Sequence, residues 1–263
     1  MNEKVFKQCK IVVGIPARMG STRFPGKPLC KIKGVSMIQH CYKRCQLSKY
    51  TSDLFVATCD QEIKKEVEDF GGKVIMTDSN IQRPGLRVAE AAKTMKLNDD
   101  DIVVVVQGDE PLVHPDMIDL ALEPLLEDRN IFISNLISEM EEKDWSDPGE
   151  IKVVCDLSMN AMYMSRSPIP SIAHQEERTV WWKQVCIMPF RWHFMKHFND
   201  NLEPTPLEKQ ESIEMIRALQ HGYKVKMVPS PYKSKSVDTE KDRLFVEEVM
   251  NNDPIFHKYA QRK

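Results

Sequence analysis

The hydrophobic positions in the first half of the chain follow two alternating repeats, one typical of buried strands and one typical of amphipathic helices. Short apolar runs predict strands, and segments with apolar residues three or four positions apart predict helices. Each predicted strand precedes a predicted helix, an order that favours a mostly parallel sheet with right-handed crossovers. The predicted strands are Lys10–Ile15, Leu54–Thr58, Lys73–Met76 and Ile102–Gln107. The predicted helices are Val35–Gln46, Gln61–Phe70, Leu86–Met95 and His114–Leu126.

Beyond residue 137 the alternation breaks down, because three predicted strands follow one another without helices between them. Successive strands with short connections are typical of antiparallel pairing. We therefore expect one domain over residues 1–263, in which a segment from about residue 150 to about residue 200 forms an inserted antiparallel lobe. The predicted strands are Glu150–Cys155, Ala161–Arg166, Trp181–Phe190 and Lys224–Val228. The predicted helices are Trp192–Asn199, Leu207–Gln220 and Thr239–Asn251.

Composition narrows the class of protein. The 263 residues carry a formal net charge of −2, so no general positive field attracts nucleic acid or anionic membranes. The longest purely aliphatic run, Ile102–Val106, is far shorter than the ~20 residues of a membrane span, and the N-terminus has no signal-peptide stretch. Seven scattered cysteines without a Cys-x-x-Cys pair favour reduced thiols. We expect a cytoplasmic protein without a membrane or nucleic-acid partner.

The loop after the first predicted strand has the chemistry of a phosphate site. Ligands of open α/β sheets bind beyond the carboxyl ends of the strands, and this loop holds cations, hydroxyls and glycines that suit a polyphosphate. A Walker motif is excluded, because five residues separate Gly20 from Gly26, and the absence of Gly-x-Gly-x-x-Gly argues against a dinucleotide oxidoreductase. A solvated basic loop is the alternative. The candidate residues are Pro16, Ala17, Arg18, Ser21, Arg23 and Lys27.

Two acidic residues follow predicted strands further along the chain. Asp109 comes directly after the uncharged strand Ile102–Gln107, and Asp238 lies just before the last predicted helix. Carboxylates at strand ends suit Mg²⁺, which prefers one or two of them together with substrate phosphates. Each has a structural alternative, since Asp109 could form a turn and Asp238 could cap the helix. The run at residues 99–101 precedes its strand and is expected at the opposite sheet edge.

Several motifs, in the same order along nearly the whole chain, resemble the CMP-Kdo synthetases, the 3-deoxy-manno-octulosonate cytidylyltransferases. The resemblance implies a Rossmann-like, three-layer α/β nucleotidyltransferase fold of glycosyltransferase-A type, with a mixed, mostly parallel sheet and a small antiparallel dimerisation lobe. It also implies Mg²⁺ dependence, a homodimer, CTP as donor, an acidic sugar-like acceptor and a role in lipopolysaccharide biosynthesis. The segments that carry it are residues 16–29, 107–111, 165–170, 206–208, 214–219 and 237–239.

The resemblance also implies roles for individual residues. Lys27 and Arg18 would be catalytic together with Asp109 and Asp238, which would hold the Mg²⁺. The nucleotide would contact the loop candidates together with Gln82 and Arg87. The acceptor would contact Gln107, Arg166, Gln184 and Glu214.

The chain departs from the family where the sugar pocket is expected. The Ser-Gly-Thr-Asp/Glu-Arg run becomes Arg83–Arg87, the His-x-Gly-Ile-Tyr segment becomes Gln184–Met188, and Glu-Gln-Leu-Arg becomes Glu214–Arg217. A pocket with fewer hydrogen-bonding groups selects a different acceptor. The sequence predicts transfer of CMP from CTP to Kdo or a Kdo-like acid with release of pyrophosphate. The alternatives are an amino or deoxy nonulosonate or a phosphonate as acceptor, a glycosyltransferase of the same fold, and a catalytically silent nucleotide-binding module.

Overall fold

The computed structural model describes residues 9–21, 24–173 and 180–260. Its strands are β1 (Ile11–Pro16), β2 (Lys31–Ile32), β3 (Val35–Ser36), β4 (Asp53–Thr58), β5 (Val74–Met76), β6 (Ile102–Val106), β7 (Ser134–Glu139), β8 (Lys152–Cys155), β9 (Ala161–Ser165), β10 (Trp182–Val185), β11 (Ile187–Arg191) and β12 (Lys226–Ser230). Its helices are α1 (Met37–Cys45), α2 (Gln61–Asp69), α3 (Pro84–Lys93), α4 (Pro115–Glu127), α5 (Trp192–Asp200), α6 (Pro206–Glu211), α7 (Met215–Gln220), α8 (Glu240–Val249) and α9 (Pro254–Ala260). Short 3₁₀ turns lie at Lys27–Leu29, Glu142–Asp144 and Met250–Asn252.

The central sheet has the order β11-β6-β1-β4-β5 and is covered by helices on both faces. Strands β6, β1, β4 and β5 are parallel, and β11 pairs antiparallel with β6. Successive side chains of a strand point to opposite faces, so Val12 packs into the core under α3 and Val13 into the core under α1 and α4. The predicted mixed, mostly parallel α/β fold with three layers is confirmed.

One glycine sets how closely a helix approaches this sheet. A Cβ atom on Gly14, in the middle of β1, would lie 2.4 Å from Cγ1 of Val88 on α3 and 2.9 Å from the Phe55 ring. Only a residue without a side chain allows the helix this close, because core atoms at such distances overlap. The contact positions the N-terminus of α3 beside the end of β1.

A second sheet has the order β12-β7-β10-β8-β9 and packs against the same core as α3. Its strands β8, β9 and β10 come from the predicted lobe at 150–200, whereas β7 and β12 come from outside that range and pair parallel with each other. The antiparallel pairing predicted for the lobe is present between β8, β9 and β10. Its role in dimerisation stays a prediction.

The single strand predicted over Trp181–Phe190 is wrong. The chain pairs with the second sheet as far as Val185, opposite Leu136, and pairs with the central sheet from Ile187, opposite Val106. Cys186 lies between the two, where the chain passes from one sheet to the other. Strand β10 is only partly buried and β11 is fully buried. Both contain apolar or aromatic residues and only Cys186 separates them, so the sequence pattern contains no sign of the change of sheet.

The single helix predicted over Leu207–Gln220 is also wrong. Ser212 adopts a left-handed conformation with φ 55° and ψ 46°, which ends α6. The buried pair Glu208 and Arg217 then joins α6 to α7 through two hydrogen bonds, of 2.8 and 2.6 Å. Tertiary contacts therefore override a locally helical pattern.

Other local differences concern short elements. The hairpin β2–β3 lies partly within the predicted helix Val35–Gln46, and helix α9 was not predicted. All seven cysteines are free thiols. None of the helices in the described residues combines the length and apolarity that a membrane span requires.

Candidate active site

A cleft of about 290 Å³ opens at the carboxyl ends of β1 and β6, the edge at which the sequence predicts a ligand. The cleft is lined by candidate residues of the loop that follows β1 and ends at Lys27, here called the first loop. It is also lined by the two predicted acids and by polar residues from the segment before α3. Arg23 lies outside the described residues. The predicted residues that line the cleft are Pro16, Ala17, Arg18, Ser21, Lys27, Gln82, Arg87, Gln107, Asp109 and Asp238.

Lys27 connects the two acids. Its Nζ donates to Oδ2 of Asp109 at 2.7 Å and to Oδ1 of Asp238 at 2.9 Å. Burial by itself lowers the pKa of Lys27, but the Asp109 carboxylate and the hydrogen bonds to both acids raise that pKa above its ordinary value. Lys27 is therefore protonated at neutral pH, and one positive charge lies between two negative ones.

Backbone contacts hold the two acidic segments side by side. The amide of Val237 donates to the carbonyl of Asp109 at 2.9 Å. Gly108 passes so close to β1 that a Cβ atom there would lie 2.8 Å from the carbonyl oxygen of Pro16. Any larger residue at 108 would push Asp109 away from the first loop.

Asp238 is not the residue that caps α8. Thr239 is the N-cap, and its hydroxyl accepts from the amide of Asp242 at 3.2 Å while the Asp242 carboxylate accepts from the amide of Thr239 at 2.9 Å. This reciprocal capping box satisfies the helix N-terminus. The Asp238 side chain instead reaches into the cleft.

The loop after β1 is anchored by Asp60, an acid that was not among the predicted site residues. Oδ2 of Asp60, just after β4, accepts from the amide of Met19 at 2.7 Å. Arg18 donates from Nη1 to Oε1 of Gln82 across the cleft. Asp60 follows a parallel strand, as Asp109 does. An acid in that position is expected at the ligand-binding edge of the sheet, so the sequence contained a signal for it.

Arg87 is buried, and its hydrogen bonds hold the segment that carries Gln82 in place. Its Nη1 donates to Oγ1 of Thr77 at 2.6 Å, and its Nη2 donates to the carbonyl of Ile81. Arg87 thus lines the cleft while its donors are directed mainly at its own segment. Its predicted contact with the nucleotide stays a prediction.

Glu110 was not among the predicted site residues, although it lies beside the cleft. Burial raises the pKa of Glu110 to about 7, and the adjacent Asp109 carboxylate adds to the shift. Its Oε2 accepts from the hydroxyl of Ser234, in the segment that leads to Asp238. Glu110 therefore adds a second link between the two acidic segments.

Three residues predicted to contact the acceptor are not among those that line the cleft. Nε of Arg166 donates to the carbonyl of Glu211 at 2.9 Å, and its Nη1 donates to the carbonyl of Pro148 at 2.9 Å. Gln184, on β10, donates from Nε2 to Oδ1 of Asn135. Both side chains belong to the region of the second sheet.

Glu214 directly precedes α7, and its side chain contacts the N-terminus of α3. Its Oε2 accepts from the amide of Gly85 at 3.2 Å, and its Oε1 is buried without a hydrogen-bond partner in the described part of the chain. Burial raises the pKa of Glu214. The predicted acceptor contacts of Arg166, Gln184 and Glu214 remain untested.

The donor set in the cleft fits a magnesium ion bound together with a phosphorylated substrate. Asp109 and Asp238 both lie within hydrogen-bond distance of one nitrogen atom, so a single cation can contact both carboxylates. Among the described residues, no group of three or more His, Cys, Asp or Glu side chains could hold a metal ion. Two carboxylates, with the other ligands supplied by phosphate and water, match the preference of Mg²⁺.

Comparisons with known proteins point to one family. Residues 12–235 match a family model described as cytidylyltransferase. The chain is 39% identical over 242 residues to 3-deoxy-manno-octulosonate cytidylyltransferase of Syntrophus aciditrophicus, covering 92% of this chain and 97% of the relative. It is 41% identical over 230 residues to 8-amino-3,8-dideoxy-manno-octulosonate cytidylyltransferase of Shewanella pealeana, covering 87% and 93%.

A solved structure agrees with these relatives. The chain superposes with a TM-score of 0.86 and 31% identity on CMP:2-keto-3-deoxy-manno-octonic acid synthetase complexed with CTP. The match covers 92% of this chain and 98% of the other.

Proposed function

The chain belongs to the cytidylyltransferase family, and we propose that it transfers CMP from CTP to a 2-keto-3-deoxy sugar acid and releases pyrophosphate. The acceptor would be Kdo or a Kdo-like acid, destined for lipopolysaccharide. The observation that carries this proposal is the contact of Lys27 with Asp109 and Asp238 beside the loop that begins at Pro16. This contact brings one cation and two carboxylates together in a cleft of about 290 Å³, a combination that suits a metal ion and a phosphorylated substrate.

Mg²⁺ fits the two carboxylates, and Asp109 and Asp238 would hold it. When bound, it would lower the pKa of the acceptor hydroxyl and offset charge on the α-phosphate. The acceptor oxygen forms a bond to the α-phosphorus while the bond from that phosphorus to the bridging oxygen of the β-phosphate breaks. The electron pair leaves with pyrophosphate and the proton of the acceptor hydroxyl is released to water, so no side-chain nucleophile is needed.

The first loop would hold the triphosphate and its leaving group. Arg18, Lys27 and the hydroxyl of Ser21 line the cleft, and we assign Arg23 to the same role. Positive groups placed where negative charge develops stabilise the transition state in a site shielded from water. Gln82 and Arg87 would contact the nucleotide from the opposite wall.

The acceptor would bind next to Gln107, which follows β6, with Arg166, Gln184 and Glu214 contributing from the neighbouring elements. Gln184 and Met188 stand where the resemblance predicts an imidazole and a phenol. This replacement points to an altered acceptor pocket. The similarity to 8-amino-3,8-dideoxy-manno-octulosonate cytidylyltransferases makes an amino sugar acid the second candidate acceptor. The homodimer is part of the same proposal, and sedimentation equilibrium tests it.

Pyrophosphate release tests the reaction directly. The protein with Mg²⁺ is mixed with each of CTP, UTP, ATP and GTP, and each nucleotide is crossed with Kdo, 8-amino-Kdo and a phosphonate. We expect pyrophosphate only when CTP and a sugar acid are both present, with a CMP-sugar product by mass spectrometry. No release with any pair would contradict the proposal, and CTP binding without turnover would indicate a nucleotide-binding module. Consumption of a nucleotide sugar without pyrophosphate would indicate a glycosyltransferase.

A further inference from the structure

The ammonium group of Lys27 lies where a cation bound to Asp109 and Asp238 would lie. It is 2.7 Å from one carboxylate and 2.9 Å from the other, distances typical of strong charge-assisted hydrogen bonds. The Lys27 side chain is only 12% exposed, and those of Asp109 and Asp238 are 30% and 28% exposed. The ion pairs are therefore partly shielded from water.

A metal ion and this ammonium group cannot both lie between the two carboxylates. Magnesium binds carboxylate oxygens at about 2.0–2.1 Å, and an ammonium within hydrogen-bond distance of the same oxygens would be in contact with the ion. Two positive charges at that separation repel strongly in a partly dry cleft. Occupation of the carboxylates by one cation excludes the other.

We infer that Lys27 is an internal counter-ion, which neutralises Asp109 and Asp238 in the free protein and yields them to the metal when the nucleotide binds. The displaced ammonium then contacts the phosphates, so metal and nucleotide binding are coupled through one side chain. This inference rests on the proposed function, because it takes Asp109 and Asp238 as the metal ligands. It adds a competition between lysine and metal that this function does not require.

The local structure allows the movement without a change of fold. Lys27 follows Gly26, which has a φ of 70°, and it begins a 3₁₀ turn whose next residue, Pro28, is buried. The backbone at Lys27 is therefore held, while the flexible four-carbon stem of a lysine can reorient. Arg18 and Ser21 line the same cleft as Lys27, so the phosphate positions are reachable from the same backbone position.

Metal binding to the protein without nucleotide tests the inference. Mn²⁺ serves as the probe, and free Mn²⁺ is measured by electron paramagnetic resonance for the wild type and for Lys27→Met, which keeps the length of the side chain and removes its charge. We expect the dissociation constant for Mn²⁺ to fall by about tenfold or more in Lys27→Met, because the metal no longer has to displace hydrogen bonds to a charged donor. Lys27→Met combined with Asp109→Asn should lose this gain.

A matched control separates local competition from a change in overall charge. Lys31 also pairs with a carboxylate, since its Nζ lies 2.9 Å from Oε1 of Glu66, but its side chain is 54% exposed. Lys31→Met should leave Mn²⁺ affinity within about twofold of the wild type, because exposed pairs have small energies. Circular dichroism and the melting temperature establish that each variant is folded.

Each result decides the question. Equal or weaker Mn²⁺ binding in Lys27→Met, including no binding in either protein, overturns the inference. A gain that persists in the double variant, or that Lys31→Met reproduces, also overturns it. The measurement uses neither CTP nor a sugar acid. Failure of the proposed reaction would appear in pyrophosphate release and is therefore distinguishable from failure of the competition.

Discussion

Replacing Asp109 by asparagine removes one negative charge from the cleft and leaves the size of the side chain almost unchanged. In the wild type, Nζ of Lys27 lies 2.7 Å from Oδ2 of Asp109, and the amide of the variant can still accept a hydrogen bond from it. An amide oxygen is, however, a much weaker ligand for Mg²⁺ than a carboxylate. The backbone link from Val237 to the Asp109 carbonyl, at 2.9 Å, is unaffected. The substitution therefore tests charge separately from fold.

The expected effects on activity and on stability differ in size. Loss of an outer-shell partner typically lowers the activity of a metal site by 10–100-fold, so loss of one of two carboxylate ligands should lower kcat/KM by at least about 100-fold. That factor corresponds to about 2.7 kcal/mol of transition-state stabilisation. Lys27 keeps its bond to Asp238 and can still donate to the amide that replaces the carboxylate, so exchanging a charged acceptor for a neutral one should cost about 1 kcal/mol. In a protein of this size the melting temperature should then change by less than about 4 °C.

The assay measures initial rates of pyrophosphate release at several Mg²⁺ concentrations, with the melting temperature recorded on the same samples. Asp99→Asn is the matched control, because Asp99 lies just before β6 at the opposite sheet edge, is 73% exposed and pairs with Lys196 at 2.8 Å. We expect the control to keep its activity within about twofold, as exposed pairs contribute little. An Asp109→Asn enzyme with turnover within about threefold of the wild type would refute the role of this carboxylate, whatever the stability result.

Three further predictions concern stability and are measured by urea unfolding. Arg217→Met should lower the free energy of unfolding by about 3 kcal/mol, since it removes the cation that is hydrogen-bonded to the buried Glu208 carboxylate and leaves only the more distant Arg83, at 3.9 Å; a loss below about 1 kcal/mol would contradict this. Gly14→Ala should cost about 1–3 kcal/mol through overlap with Val88, and Val88→Ala in the same chain should recover part of that loss. Burial lowers the pKa of His40 from 6.5 to about 4, so between those values the unfolded chain binds a proton that the folded chain does not. The free energy of unfolding should therefore decrease as the pH is lowered, and this group should make it about 2 kcal/mol smaller at pH 5 than at pH 8. His40→Gln should remove that part of the pH dependence.

The sequence by itself determined the layers of the fold and the edge of the sheet that carries the site. The strands around Val12 and Val103 are short uninterrupted apolar runs, and burial on both faces leaves that pattern in the chain itself. Parallel strands bring their carboxyl ends to one edge. The loop after β1 and Asp109 after β6 could therefore be assigned to one cleft from the sequence.

Only the tertiary structure decided which side chains meet within that cleft. Lys27 is separated by 82 positions from Asp109 and by 211 positions from Asp238, and no local pattern records contacts over such distances. The change of sheet at Cys186 has the same cause, because strand pairing depends on which neighbour lies alongside and not on hydrophobicity. Local propensity and periodicity act over a few residues, whereas the choice of partner for a charge or a strand depends on how the whole chain packs.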